Sequence, residues 1–422
     1  MQKNWYRLDT AALIFPAIRK RDWCNVFRVA VCFREEVDPE VLQLALDDLR
    51  PRFPSFFVTL KKGFFWYYLE ESREPVRVRP DYAYPLTFMS RRELHKNCLR
   101  VFYYRNRIAV ECFHAVSDGR GGSVFAANLA ARYLERKYGI EIPKGELIRD
   151  CGETPPAWEL EDSFLKNAAG KAAGRADETA FRLRGTRERD GFLHVTTGIL
   201  DTERLLDTAH GYGVSVTAFL AAVMIQSVLR IQDGLLPKKE QRPVKITIPV
   251  DLRRLYGSRT LRNFTLVLNP GIDPRYGEYS FAEICSAVHH QLRANATPQV
   301  MAGMIAANVK PQELTLIRLA PAGVKNLVMN AVYRSSGEKS GCLNISNLGE
   351  IRLPEEMASY VSRMEFIIGP QRSYPNNCAV ASCGGKTYIN MIRRTKESEL
   401  ERLFFSGLVE LGVPVEIESN GR

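Results

Sequence analysis

The sequence predicts a mixed α/β or α+β protein built from two halves. Strand-like and helix-like segments alternate along the chain, and its 422 residues exceed what one hydrophobic core usually serves. Residues 152–190 change character, with Pro155-Pro156, an Ala/Gly-rich stretch and a run of charges. That composition is typical of a linker or, alternatively, of a mobile lid over a cleft. We therefore expect an N-terminal half over 1–151, a linker or lid over 152–190 and a C-terminal half over 191–422.

In the first half, the helices and strands are predicted from the spacing of apolar residues and from the residues that begin helices or form turns. A β-branched and aromatic run predicts a strand over 25–34, and Asp38-Pro39 then opens a helix that ends near Leu49. Arg105-Asn106 separates two apolar runs, which predicts a hairpin. Further predicted elements are a strand meander over 56–60, 64–70 and 76–78, the hairpin strands 99–104 and 107–113, and a helix over 123–138 that ends at Gly139.

In the second half, the predicted elements are strand 193–200, helix 201–210, a buried helix over 214–229, strand 244–250, strands within 341–347 and 379–392, and helix 398–411. The buried helix is the most apolar long segment, but Ser215, Thr217 and Gln226 make it too polar for a membrane span. The N-terminus shows no secretion signal. We therefore expect a soluble cytoplasmic protein without stable membrane insertion.

Composition excludes some classes of function. The nine cysteines form no CxxC pair and no histidine lies at zinc-finger spacing, so we expect no metal, and buried thiols in a reducing compartment. The net charge of +11 would attract phosphates, acidic carrier proteins or nucleic acid. The aromatic run from Phe64 to Tyr68 could stack nucleobases, but no nucleic-acid-binding signature accompanies it, and we expect no nucleic-acid partner.

His114 is the residue most suited to chemistry. An apolar strand delivers it at its C-terminal end, and a turn with Asp118, Gly119 and two further glycines follows before a helix. A histidine so placed can face a cleft as a general base, with Asp118 orienting it or locking the loop through an arginine. The glycines permit positive φ and close backbone approach. The alternative is a core histidine with Asp118 as a helix cap, which the HxxxDG spacing in this context disfavours.

The chain resembles the superfamily of chloramphenicol acetyltransferase, peptide-synthetase condensation domains and alcohol acetyltransferases. The superfamily signature HHxxxDG reads here as Phe113 to Gly119, with Phe113 in place of the first histidine. No counterpart of the DFGWG motif is found. Four further segments occur in the family's order: Leu49 to Pro54, Pro249 to Arg253, Leu261 to Phe264 and the Ser-Asn-Leu-Gly stretch within Asn344 to Gly349.

The resemblance implies two chloramphenicol-acetyltransferase-like halves in a V-shaped pseudo-dimer, with a central tunnel that holds His114. It implies that His114 takes the proton from an acceptor hydroxyl or amine as it attacks a thioester, without an acyl-enzyme. The amide of Gly119 would lie near the oxyanion. Asp118 would be salt-bridged to an arginine, for which Arg52, Arg253 and Arg254 are unranked candidates.

The resemblance also implies a substrate-binding role for three polar residues. Ser346 and Asn347 would line the tunnel opposite His114, or would simply end their strand, and Asn263 would be either tunnel wall or turn former. The co-substrate would be acyl-CoA or an acyl-phosphopantetheine carrier protein, with a small-molecule acceptor and no other cofactor. An amide-forming condensation enzyme and a catalytically idle binding module of the same fold are the alternatives. A monomer is expected, since two halves in one chain complete the site.

Overall fold

The computed structural model describes residues 4–20, 24–168, 172, 178–333, 339–371 and 373–421. A five-stranded sheet forms the centre of the first half. Its strand order is β13 (Val361–Ile368), β2 (Val26–Phe33), β7 (Arg107–Phe113), β6 (Leu99–Tyr104) and β5 (Val78–Pro80). The predicted hairpin is confirmed, because β6 and β7 pair antiparallel.

A small second sheet lies beside it. Its order is β1 (Trp5–Arg7), β4 (Tyr67–Glu71) and β3 (Val58–Lys62). The predicted meander is wrong in part: β3 and β4 pair antiparallel, but β5 leaves them and pairs parallel with β6. The spacing of three short strands along the chain could not distinguish these two partners.

The helices of this part are α1 (Phe15–Ile18), α2 (Pro39–Leu49), α3 (Arg91–Leu94), α4 (Gly119–Tyr138) and α5 (Ser163–Lys166). Asp38 caps α2 as expected, because its carboxylate accepts hydrogen bonds from the amides of Glu40 and Val41. Gly139 ends α4 with φ of 66°. Helix α4 begins four residues before the predicted start, so the glycines after Asp118 form its first turn.

The second half is organised around an eight-stranded sheet. The strands run in the order β10 (Thr265–Leu268), β9 (Val244–Asp251), β12 (Leu343–Glu350), β14 (Asn376–Cys383), β15 (Lys386–Arg393), β8 (His194–Asp201) and β16 (Glu416–Ser419), and β11 (Gly271–Ile272) also pairs with β9. The apolar stretch 379–392 is a hairpin rather than one strand. Gly384 and Gly385 make its turn, with φ of 60° and 77°.

The remaining helices are α6 (Thr202–Gly211), α7 (Val216–Leu235), α8 (Arg253–Tyr256), α9 (Phe281–Asn295), α10 (Pro298–Glu313), α11 (Thr315–Leu319), α12 (Ala322–Val332), α13 (Glu355–Ala358) and α14 (Glu399–Glu410). Helix α7 is long and apolar enough to cross a membrane, yet most of it is buried inside the protein. It packs on α9, α14 and β9, as predicted for a core helix.

Strand β13 crosses from the second half of the sequence into the first sheet. It pairs antiparallel with β2 over its whole length, from Val361 opposite Phe33 to Ile368 opposite Phe27. The core of the first sheet consequently includes residues from the C-terminal part of the chain, such as Met364 and Phe366. The first sheet is therefore completed by a strand that lies outside residues 1–151.

We expect Phe366→Ala to destabilise the protein by about 3–5 kcal/mol, the usual loss for a buried phenylalanine. Phe366 is 2% exposed, and its ring meets that of Phe27 at 6.3 Å. Urea unfolding followed by circular dichroism would measure the change. The matched control is Tyr82→Ala, because Tyr82 is 87% exposed and its loss should stay within about 0.5 kcal/mol. Equal effects of the two substitutions would contradict the packing described for β13.

Candidate active site

His114 lies directly after β7, with its ring held between aromatic neighbours. Its amide donates a hydrogen bond to the carbonyl oxygen of Asn25 at 2.8 Å. The ring of Phe15 stacks on the imidazole at 4.5 Å, and Phe27 meets it edge-on at 5.3 Å. The residue as a whole remains partly exposed. These contacts fix the orientation of the ring.

Asn263 determines which nitrogen of His114 carries the proton. Its Nδ2 lies 3.0 Å from both Asp9 Oδ2 and the carbonyl oxygen of His114, two acceptors that require the amide nitrogen on that side. The amide oxygen then faces His114 Nδ1 at 2.9 Å and must accept a hydrogen bond from it. Nδ1 is therefore protonated in the neutral ring, and Nε2 keeps its lone pair.

Asp9 is a residue of this site that the sequence did not reveal. Its carboxylate is fully buried, accepts a hydrogen bond from the amide of Ala12 at 2.7 Å and lies 3.6 Å from Arg262 Nη2. The sequence pattern predicts no helix or strand in this part of the N-terminus. An acidic residue three positions before Ala12 could have been recognised as a turn cap. Phe15 was missed for the same reason.

The pKa values of the two groups move in opposite directions for the same cause. Burial lowers the pKa of His114 below its ordinary 6.5, although its own backbone carbonyl, Asp118 and Asn263 favour the charged ring. Burial also raises the pKa of Asp9 from 3.8 to about 6, against the nearby guanidinium of Arg262. At pH 7 the imidazole is consequently neutral, which is the form that can accept a proton.

Asp118 is buried and does not touch the imidazole through any hydrogen bond of the described structure. Its carboxylate caps α4 by accepting from the amide of Gly121 at 3.1 Å, and it accepts from the amide of Phe264 at 3.0 Å. Arg253 Nη2 lies 2.9 Å from Asp118 Oδ2. The same guanidinium donates to the carbonyl oxygens of Thr260 and Arg262. This ion pair ties the loop before Asn263 to the start of α4.

The other two candidate arginines do not pair with Asp118. Arg52 is buried and forms a two-pronged ion pair with Glu159, at 2.5 and 2.8 Å. Arg254 is exposed. The sequence could not show which arginine pairs with Asp118, because Arg253 and Arg254 are adjacent in the chain although one is buried and the other is exposed. Glu159, the partner of Arg52, lies within residues 152–190, for which the sequence predicts a linker or lid.

The glycines after Asp118 provide space rather than unusual backbone angles. None of Gly119, Gly121 and Gly122 has positive φ, so the backbone freedom that glycine permits is not used here. A Cβ on Gly121 would lie 2.2 Å from the carbonyl oxygen of Leu261, and one on Gly122 would lie 2.3 Å from the ring of Phe27. Close approach of α4 to these two neighbours therefore requires glycine.

The structure brings the Ser-Asn-Leu-Gly strand β12 to the motif. A Cβ on Gly119 would lie 3.0 Å from Leu348 Cδ2, so the end of β12 touches the first turn of α4. Asn347, one residue earlier, donates to Thr217 Oγ1 and accepts from the amide of Gly349. Ser346 pairs with Ala379 of β14 and is partly exposed. Neither side chain contacts His114 directly among the hydrogen bonds of the described residues.

Within the described ranges, no group of three or more His, Cys, Asp or Glu residues could hold a metal ion. All nine cysteines are free thiols, and eight of them are buried.

Sequence comparison finds no protein-family model and no curated protein that matches this chain. Comparison with solved structures finds similar proteins. F. graminearum TRI101 complexed with coenzyme A and T-2 mycotoxin aligns with a TM-score of 0.65 at 11% identity, over 98% of this chain and 100% of that one. Polyketide synthase associated protein 5 from Mycobacterium tuberculosis aligns with 0.58 at 15% identity over 97% of both chains. The epimerization domain from the third module of tyrocidine synthetase B aligns with 0.59 at 13% identity, over 97% and 96%.

The chain therefore has the same fold as these solved structures. The mixed α/β class that the sequence predicts is thereby confirmed. At these identities the likeness extends to the fold, and the tyrocidine epimerization domain shows that this fold serves more than one activity.

We expect Arg253→Met to lower the free energy of unfolding by about 3–5 kcal/mol, because it leaves the buried Asp118 carboxylate without its ion-pair partner. The adjacent Arg254→Met is a matched control: its side chain is exposed, and its loss should stay within about 0.5 kcal/mol. Thermal or urea unfolding of the two variants would measure the difference. Equal stability of both would show that the ion pair does not hold this loop.

Proposed function

We propose that this protein is an acyltransferase that moves an acyl group from a thioester to a hydroxyl or amine, with His114 as general base. The observation that carries the proposal is the Asp9–Asn263–His114 hydrogen-bond chain, which leaves Nε2 of the neutral imidazole with its lone pair, on a residue that is partly exposed. A base for an acceptor alcohol needs this protonation state at neutral pH.

The proposed reaction is a direct transfer. His114 Nε2 takes the proton of the acceptor while the acceptor oxygen or nitrogen attacks the thioester carbonyl carbon. The carbon–sulfur bond then breaks, and the imidazolium returns the proton to the leaving thiolate. Gly119 is the first residue of α4, so its amide has no intrahelical acceptor and is proposed to donate to the oxyanion.

Nearby nucleophilic side chains are poor candidates for an acyl-enzyme. The hydroxyl of Ser117 is buried and donates to the carbonyl oxygen of Leu261 at 2.5 Å. Cys112 is buried, and that burial raises the pKa of its thiol well above the ordinary value. These environments support transfer within a complex of both substrates rather than through a covalent intermediate.

The departure from the family signature at Phe113 leaves the proposed site residues in place. Phe113 is fully buried in the core of the first sheet, so its ring packs and takes no part in the site. His114, Asp118 and Gly119 keep the arrangement that the proposed mechanism needs. A catalytically idle binding module therefore remains the weaker interpretation.

Acyl-CoA or an acyl carrier protein is the proposed donor, and a small molecule with a hydroxyl or amine is the proposed acceptor. The net charge of +11 suits a donor that carries phosphates. We retain the V-shaped arrangement with a central tunnel, a tunnel-lining role for Ser346 and Asn347, a monomeric state and a cytoplasmic location as predictions. An amide-forming enzyme that uses carrier-protein substrates is the alternative.

We expect His114→Ala to lower kcat/KM for thioester consumption by about 10²- to 10⁴-fold, the usual contribution of a positioned general base. The assay would follow thiol release from acyl-CoA with a panel of alcohols and amines. His95→Ala is the matched control, because His95 is exposed at the end of α3 and should leave the rate unchanged. A folded His114→Ala variant that turns over at the wild-type rate would refute the proposed base.

Carrier-protein dependence separates the two enzymatic alternatives. Turnover of acyl-CoA without carrier protein supports the simple transferase, whereas turnover only with a phosphopantetheinylated carrier protein supports the amide-forming enzyme.

We expect the acid limb of the kcat/KM profile to have its midpoint below pH 6.5, because burial lowers the pKa of the base and activity is lost as His114 gains its proton. Asn263→Ala should lower the rate by about 10- to 100-fold, since the tautomer is no longer held. It should also move the midpoint to still lower pH, because the Asn263 hydrogen bond favours the charged ring. A limb that stays in place in this variant would argue against the assigned hydrogen bond.

A further inference from the structure

Helix α12 is amphipathic, but its apolar side faces outward and its polar side faces the protein. The side chains at i, i+3, i+4 and i+8 from Val324 are apolar and face outward: Val324, Leu327, Val328 and Val332, each at least half exposed. A surface helix usually buries this stripe and presents polar residues to water. Here the apolar stripe is instead the exposed side of the helix.

The opposite side of α12 is polar and is bonded to the protein. Lys325 is buried, donates to the carbonyl oxygens of Phe65 and Arg318 at 3.0 and 3.1 Å, and lies 3.4 Å from the centre of the Trp66 ring. Asn326 donates to the Tyr67 hydroxyl, and Asn330 donates to the carbonyl oxygen of Ala17. The helix is thus oriented by polar contacts that hold its apolar side outward.

The exposed apolar surface continues beyond α12. Leu316 and Leu319 of α11 are 85% and 63% exposed, and the ammonium of Lys325 joins α11 to α12 through Arg318. On the other side, the amide of Ala322 donates to the carbonyl oxygen of Phe64, which is 72% exposed. We call this surface, formed by α11, α12 and the Phe64-Phe65 turn, the α11–α12 face. Contiguous apolar surfaces of this kind mark interaction sites in soluble proteins.

The exposed charged residues of α11, α12 and the strand before Phe64 are cationic. Helices α11 and α12 contain no Asp or Glu, and their charged residues are Arg318, which is exposed, and Lys325, which is buried. Lys62, two residues before Phe64, is also exposed, and Glu313 at the end of α10 is the exposed acid nearest in sequence. The chain as a whole carries +11. Apolar side chains bordered by cations match a bilayer with anionic headgroups, which gains both burial and electrostatic attraction.

A second copy of the chain fits this face less well. A two-fold contact would bring together two copies of the same face, each with exposed Arg318 and Lys62 and with no acid in α11 or α12 to neutralise them. We propose that the α11–α12 face binds the surface of an anionic membrane, with α12 lying in the interface and its leucine and valine side chains entering the acyl region. This peripheral binding is distinct from insertion and is independent of the proposed acyl transfer.

The test is flotation of the full chain with vesicles of phosphatidylcholine alone or of phosphatidylcholine with phosphatidylserine. We expect binding to the anionic vesicles, reduced when salt is raised from about 0.1 M to about 1 M because screening shortens the Debye length from about 10 Å to about 3 Å. The double variant Leu316→Gln/Leu327→Gln should weaken binding by at least about tenfold. Both leucines are exposed, so folding should be unaffected, as circular dichroism would verify.

The matched control is Leu44→Gln/Leu235→Gln, two exposed leucines on α2 and α7, which should bind as the wild type does. Absence of wild-type binding to anionic vesicles, or equal binding by both double variants, would overturn the proposal. So would a dimer in sedimentation velocity that only the α11–α12 variant dissociates, since it would assign the face to a second copy.

A second readout reports depth. In a Cys151→Ser background, which removes the one cysteine that is not buried, Leu327→Cys carrying an environment-sensitive dye should shift its emission to the blue with anionic vesicles. The same dye on Leu235→Cys should not shift. A shift at both positions or at neither would contradict insertion of α12. Turnover of a water-soluble thioester by the Leu316→Gln/Leu327→Gln variant should equal the wild-type rate, which separates this proposal from the catalytic one.

Discussion

The ion pair between Asp118 and Arg253 is the interaction on which the site depends. It joins a carboxylate at the start of α4 in the first half to a guanidinium that follows β9 in the second half. Burial of two charges loses hydration, so such a pair contributes little net stability compared with an apolar pair. The ion pair instead positions the loop that carries Asn263. Arg253 also donates hydrogen bonds to the carbonyl oxygens of Thr260 and Arg262, and this places Asn263 beside His114.

Asn263 selects the tautomer of the neutral His114 ring. An amide has distinct donor and acceptor ends, so the two acceptors on its nitrogen side leave its oxygen to receive the Nδ1 proton of His114. A water molecule at this position could rotate and would not select a tautomer. The site thus obtains its defined protonation from three residues, Asp9, Asn263 and His114, that are distant in sequence and belong to both halves.

The sequence predicted local features better than long-range ones. Helix α2, the β6–β7 hairpin and the core helix α7 follow from caps, turns and periodicity that neighbouring residues encode. The departure of β5 from β4 and the pairing of β13 with β2 depend on contacts between remote segments, which periodicity does not report. In the site, His114 and Asp118 stood out through spacing, whereas Asp9 and Phe15 act through tertiary contacts alone. The sequence likewise could not show that the polar side of α12 faces the protein, because this depends on contacts with remote residues.

The crossing of β13 has a consequence for how the protein is made. Ser362 of β13 and its partner Cys32 of β2 are 330 positions apart. During synthesis the first sheet therefore cannot be completed until β13, near the end of the chain, has left the ribosome. Until then β2, whose eight residues are all buried in the finished protein, is an open and apolar edge. A nascent chain in this state is vulnerable to association with others. Slow synthesis or truncation before residue 361 would therefore favour aggregation over a free-standing N-terminal half.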